Sequence, residues 1–403
     1  MPAIFSLVRI DRPQKIAGVL LLIFLVECCY VASRRPLDQR ETEAAFAGRR
    51  VWSANRVTRD WPANFNESIL AVRAAGFFTA IEQRFDIDAG ARVYAAPDRM
   101  LTRLPFVLFG VWLGAALWWV SRRLYGDEGG YVALALYCFS PAMILLSARV
   151  GSDVFVAWGI FGLIFTAIGV AHTLYAPARM WRVRIVILGA ALGITAAANF
   201  VAALVGLVFA LAFVVYLAPG RRLIGIGVLA LSCIFGAIIC WAFYGFYRGA
   251  LTSVKFALPA RTDQVVKYAS HPSSWIFICG FILCSLIYLA WPRARYFGNT
   301  APLVVGCVLL FVLPGAYLNG SGNSLLFPLW AIPFLCVFIG GIFADLLDNR
   351  FLEGRYHKYV RGLELLVLVA NGALCIMAIH QGPRLWSPLL FLFEAFGSGL
   401  QSK

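Results

Sequence analysis

Four charged residues fall within six positions, Asp38, Arg40, Glu41 and Glu43, immediately after the first long apolar run of the chain, Lys15 to Ala32. Carboxylates grouped in this way can take a proton from an acceptor hydroxyl or amine, or hold a divalent ion through oxygen ligands. The segment from Ser33 to Arg103 carries nine of the twenty acidic residues, whereas the apolar runs carry almost none. A further acid, Asp153, stands in "SARVGSDVF" between two later apolar runs. An acid at a helix start is often no more than a cap favoured by the helix dipole. If Asp153 shares a face with Asp38, Glu41 and Glu43, however, carboxylates from separate segments can meet in one pocket.

Those residues must be positioned by helices in a bilayer. Hydrophobic residues make up 61% of the 403 and charged residues 14%, which leaves too little polar surface for a water-soluble globule. Apolar runs long enough to cross about 30 Å of hydrocarbon recur along the chain. They predict an all-α polytopic membrane protein with about eleven spans: 15–32, 104–120, 131–147, 154–175, 185–198, 200–218, 223–246, 274–291, 301–318, 325–345 and 362–380. The stretch Ile185 to Ala218 holds no charge. As one helix it would be about 51 Å long, so two helices turning near Asn199 are expected.

Basic residues set the orientation. Arg9, Arg12 and Lys15, then Arg122 and Arg123, Arg179 to Arg184, Arg221 and Arg222, Arg293 and Arg295, and Arg350 to Arg361 all fall on one side when the spans alternate. The positive-inside rule makes that side cytoplasmic, with the first span a retained anchor. The segment 33–103 and a second loop, 247–272, then face outward, as does the tail 381–403. Within the first loop Ile69, Val72, Phe77, Ala80, Ile81 and Phe85 recur at helical spacing, which predicts an amphipathic helix lying along the interface. The net charge of +15 follows from this bias and from anionic lipid, not from nucleic acid.

The ten cysteines all lie in predicted spans, and neither CxxC nor HxxH spacing occurs. No disulfide framework or dedicated metal motif is indicated. Oxygen ligands from Asp153 and the first-loop acids leave a divalent ion as an alternative, with no other cofactor expected. Cations that could meet a lipid phosphate follow the seventh span in "YRGALTSVKFALPARTDQVVKYASHP". Arg248 is placed at the helix end, with Lys255 and Arg261 beyond it. Glu27 is the one acid well inside a span, about five residues from its outer end, and either serves a function there or reaches up to the interface.

The run 101–159 resembles the protein O-mannosyltransferase and aminoarabinose transferase group of membrane glycosyltransferases, which have the GT-C fold. The resemblance rests on Arg103-Leu104-Pro105, Arg122-Arg123-Leu124-Tyr125-Gly126, Ser140-Pro141, and Arg149 with Asp153. "LGAALGITAAANFVAALVGLVFALAF" and "LLFPLWAIPFLCVFIGGIF" extend it to about residue 345. It implies transfer of a sugar from a polyprenyl phosphate to an acceptor outside the cytoplasm, in a bacterial inner membrane, with lipid and other membrane subunits as partners. Arg103 and Arg149 join the candidate substrate-binding cations on this basis. In the family an Asp-Glu pair followed by an aromatic residue lies on an interfacial helix after the first span and supplies the catalytic base. "TEAAF", residues 42–46, aligns with it, so Glu43 matches the Glu while Thr42 stands where Asp is expected. Either Asp38, Glu41 or Glu43 takes the base role, or the chain keeps the fold as a non-catalytic subunit. A transporter, the third reading, would show midplane charges and broken helices in two related halves; neither pattern is evident.

Overall fold

A computed structural model describes residues 12–53, 68–85, 97–175, 179–246, 297–311 and 326–347, with isolated helical positions at 286 and between 358 and 373. Among these residues every regular element is a helix. The first, α1 (Arg12–Arg34), is followed by α2 (Gln39–Ser53) and α3 (Ile69–Phe85), which occupy the acidic segment. α4 (Arg99–Cys138) begins at an Asp98 cap, whose carboxylate accepts from the Leu101 N–H at 2.8 Å.

α4 is not straight. Gly126 has φ 80 and ψ −174, a conformation open essentially to glycine alone, and here the chain reverses. Two hydrogen bonds fix the resulting antiparallel hairpin. The Tyr137 hydroxyl donates to the Gly110 carbonyl at 2.7 Å and the Ser121 hydroxyl to the Gly129 carbonyl at 3.0 Å. In a continuous helix the first pair would lie about 40 Å apart. The hairpin thus supplies the two spans expected at 104–120 and 131–147. The second of these differs in one respect: it breaks at Ser140, because Pro141 starts a new short helix, α5 (Pro141–Ser147).

α6 (Asp153–Thr173), α7 (Arg179–Ala198), α8 (Phe200–Leu217) and α9 (Arg222–Phe243) follow. The break between α7 and α8 falls on Asn199, whose side chain accepts from the Ala202 N–H at 2.9 Å and so caps α8. α10 (Phe297–Phe311) and α11 (Leu326–Leu347) complete the described bundle. α11 packs on the α4 hairpin, α1 on the same hairpin, α9 on α7, and α6 on both α7 and α8. Between α6 and its neighbours lies a fully buried aromatic core that includes Phe106, Phe155, Phe161 and Phe334.

Six described helices are long and apolar enough to cross a membrane. Large apolar side chains on them point outward, among them Val26, Val208, Leu223 and Ile234, as a lipid-facing surface requires. The chain is an integral, multi-pass membrane protein. The predicted spans 274–291 and 362–380, the loop 247–272 and the tail 381–403 lie outside the described residues apart from the isolated positions above.

The amphipathic helix of the first loop forms, but its apolar residues divide differently from the expectation. Ile69 and Val72 are buried, together with Ala75, Gly76 and Thr79, whereas Phe77 and Ile81 are exposed. The cause is α2. Gly48 and Gly76 meet backbone to backbone, so that a Cβ on Gly48 would lie 2.2 Å from the Val72 carbonyl oxygen. The crossing is closed by Trp52, whose indole N–H donates to the Arg73 carbonyl at 2.8 Å and whose ring lies under the Arg73 guanidinium.

Candidate active site

The end of α1, the starts of α2, α4 and α6, and the link between α5 and α6 converge at one end of the bundle. Their meeting point is a buried ion pair between Glu41 and Arg103, each 3% exposed. Arg103 donates through all five N–H groups. Nε and Nη2 grip the two oxygens of Glu41, Nη1 reaches the carbonyls of Ala32 at 2.9 Å and Arg35 at 2.7 Å, and Nη2 also reaches that of Pro36 at 3.0 Å. Three of these acceptors are carbonyls at or just past the end of α1, which have no partner within the helix and carry the negative end of its dipole.

Glu41 is as fully engaged as its partner. Oε1 accepts from the Val150 N–H at 2.9 Å in addition to Arg103 Nε, and Oε2 accepts from the Asp38 N–H at 3.1 Å in addition to Arg103 Nη2. Asp38 returns the bond, its Oδ1 accepting from the Glu41 N–H at 2.7 Å. This reciprocal pair is a capping box at the start of α2. Expected from sequence as a base and a phosphate ligand, Glu41 and Arg103 have instead spent their hydrogen-bonding capacity on each other and on the backbone. A carboxylate with four donors around it and no access to solvent cannot take a proton from a substrate.

The groups left open to a ligand surround this pair. Asp38 Oδ2 lies 3.5 Å from Arg149 Nη2, with the two side chains 47% and 42% exposed. Arg35 sits against both Arg103 and Arg149; partial burial, then the two neighbouring guanidinium groups, hold it below the usual arginine range against the pull of Glu41 and Asp38. Asp153 opens α6 one turn beyond Arg149, within its electrostatic reach, and the indole of Trp330 from α11 approaches the same carboxylate. Glu43 points elsewhere. It is exposed on α2, where it accepts from the Gln39 side-chain amide at 3.0 Å.

The structure therefore brings Asp38, Glu41, Arg103, Arg149 and Asp153 to one end and leaves Glu43 at its margin. Arg248, Lys255 and Arg261 lie outside the described residues. Thr42 is occupied locally, its hydroxyl donating to the Asp38 carbonyl at 2.8 Å. Among the described residues no three His, Cys, Asp or Glu side chains gather as metal ligands. Two members escaped sequence reasoning. Arg35 stands among basic residues just past a span end, with nothing but its distance of three positions from Asp38 to set it apart. Trp330 carried no signal within an apolar run.

No protein-family model matches the sequence, and no curated protein is similar to it. Solved structures are. ArnT from Cupriavidus metallidurans in the apo state superposes with a TM-score of 0.55 at 13% identity, over 96% of this chain and 74% of that one. ArnT bound to undecaprenyl phosphate gives 0.54 at 14% identity with the same coverage. The Archaeoglobus fulgidus oligosaccharyltransferase in the apo form gives 0.50 at 12% identity, over 95% of this chain but 56% of that one. The fold is GT-C. This chain thus spans about three quarters of ArnT and little more than half of the oligosaccharyltransferase. At such identities the likeness is one of architecture, and the GT-C bundle accounts for the order of helices around the buried ion pair.

Proposed function

We propose that this protein is a membrane glycosyltransferase that moves a sugar from a polyprenyl phosphate to an acceptor hydroxyl or amine on the extracytoplasmic side, in a bacterial inner membrane with the N-terminus cytoplasmic. The observation that carries the reading is the half-exposed pair Asp38 and Arg149, with Arg35 beside it, at the helix end of a GT-C bundle. A solved GT-C neighbour, ArnT, holds undecaprenyl phosphate.

In this reading the acceptor oxygen or nitrogen attacks the anomeric carbon of the donor, the bond from that carbon to the phosphate oxygen breaks, and the acceptor proton passes to Asp38. Polyprenyl phosphate departs with the electron pair. Its charge is met by the guanidinium groups of Arg149 and Arg35, which suit bidentate contact with phosphate oxygens. Asp153, within electrostatic reach of Arg149, favours that guanidinium's charge. Arg248, Lys255 and Arg261 are proposed as further phosphate contacts. Asp38 is preferred to Glu43 as the base because it faces these cations, while Glu43 is engaged with Gln39. Were a divalent ion bound, Asp38 and Asp153 would be the acids to hold it, and it would offset phosphate charge.

Transfer from a panel of polyprenyl-phosphate sugars, assayed with the protein in lipid nanodiscs, tests the reading. Transfer by the wild type and its loss in Asp38→Asn support it. A second reading, a non-catalytic GT-C subunit within a larger membrane assembly, draws on Thr42, which stands where the family places Asp. No transfer by the wild type with any donor would favour that alternative.

A further inference from the structure

The contact between Asp38 and Arg149 is too long and too exposed to hold its own geometry. An ion pair of that kind contributes little and is screened by salt. Something else must keep the two side chains facing each other across 111 positions of sequence.

The buried carboxylate does so from two directions. Asp38 is tied to Glu41 twice, through its own N–H and through its Oδ1. Arg149 is tied to it through the adjacent residue, since the Val150 N–H donates to Glu41 Oε1. Glu41 itself cannot swing, because Arg103 holds both its oxygens while anchoring to the carbonyls of Ala32, Arg35 and Pro36. The other exposed cation, Arg35, is fixed by the same guanidinium through its carbonyl.

From this arrangement we infer that Glu41 and Arg103 form a positioning pair, a single buried clamp that sets the placement of Asp38, Arg149 and Arg35 before any substrate arrives. The catalytic meaning of that placement rests on the glycosyltransferase reading; the clamp itself does not. Its force lies in geometry more than in charge. Lysine at position 103 would still neutralise Glu41 but could not reproduce a five-bond fork.

The experiment uses spin labels at Arg40→Cys and Ser152→Cys, on either side of the clamp, in a background free of other reactive cysteines and in nanodiscs. A second pair, Val186→Cys and Ile238→Cys, lies on exposed positions of α7 and α9 and reports on the remote bundle. Glu41→Gln and Arg103→Lys are expected to broaden the distance distribution between 40 and 152 while that between 186 and 238 stays as in the unsubstituted protein. Where transfer is measurable, kcat is expected to fall about 100-fold in both, as follows from misplacing a reacting group by about 1 Å. An unchanged 40–152 distribution in Arg103→Lys, with the remote pair intact, overturns the clamp. Should Glu41→Gln disturb the remote pair as well, Arg103→Lys, which leaves no uncompensated buried charge, decides alone. A wild type without transfer but with the expected label response would retire the catalytic reading and leave the clamp standing.

Discussion

Asp38 Oδ2 and Arg149 Nη2 stand 3.5 Å apart although 111 positions separate them, and each keeps more than two fifths of its side chain open to solvent. An exposed contact of this length holds neither side chain firmly. Here both retain free hydrogen-bonding capacity toward a ligand, next to a second pair, Glu41 and Arg103, that retains none.

The base assignment makes a direct prediction. Asp38→Asn is expected to lower sugar transfer by about 100- to 10,000-fold, the contribution of a well-placed general base. Asn caps a helix about as well as Asp, so the melting temperature should move little. Glu43→Gln, at an exposed position bonded only within α2, should leave transfer near the wild-type rate. Equal losses in the two variants would contradict the assignment.

For Arg149 the expected signature lies in donor binding. Arg149→Ala removes a charge-assisted contact of about 1.5–3 kcal/mol, equivalent to roughly 10- to 150-fold in affinity for the polyprenyl phosphate. Lipid titration into the detergent-solubilised protein, followed by thermal shift, reads this without requiring turnover. Raising the salt concentration should weaken wild-type binding more than that of the variant.

Close helix crossing in the first loop predicts a stability effect. Gly48→Ala places a methyl group 2.2 Å from the Val72 carbonyl oxygen and 2.6 Å from the Gly76 nitrogen, so the two helices must separate. Overpacking of this kind costs about 1–3 kcal/mol. A lowered melting temperature is expected, whereas Gly18→Ala, which meets nothing within 4 Å, should be neutral or slightly stabilising.

The reversal inside α4 is open to a similar test. At φ 80 and ψ −174, Gly126 has nothing within 4 Å of a prospective Cβ, so any penalty for Gly126→Ala arises from the backbone alone. About 1–3 kcal/mol of destabilisation is expected. Comparable stability of the two proteins would mean that the hairpin turns elsewhere.

Membrane residence was legible from composition, because no arrangement of a chain with 61% hydrophobic residues can hide them all from water. The positions of the described helices followed from run length, and the division of Ile185 to Ala218 near Asn199 from bilayer thickness together with the basic clusters at either end. Other details were not legible. Nothing in the sequence set the breaks at Gly126 and Pro141 apart from Pro105 and Gly110, which lie inside the same helix, and the capping box of Asp38 and Glu41 showed itself only in the folded chain. The density of acids at residues 38–43 marked a candidate site.

Which acid does what was a different kind of question. Asp38, Glu41 and Glu43 are separated by so few positions that no periodicity ranks them, and their roles depend on partners 62 and 109 positions away. Only the folded bundle brings the Arg103 fork and the Val150 N–H onto Glu41, engaging that carboxylate, while leaving Asp38 half open beside Arg149. The same reason explains why the apolar residues of α3 divide differently from the expected face, since the backbone of Gly48 crosses it at Val72 and Gly76. Short-range geometry and transfer from water act on any stretch of chain and can be read from it. The occupancy of a lone pair is decided by whichever distant donor arrives, and that is a property of the tertiary structure.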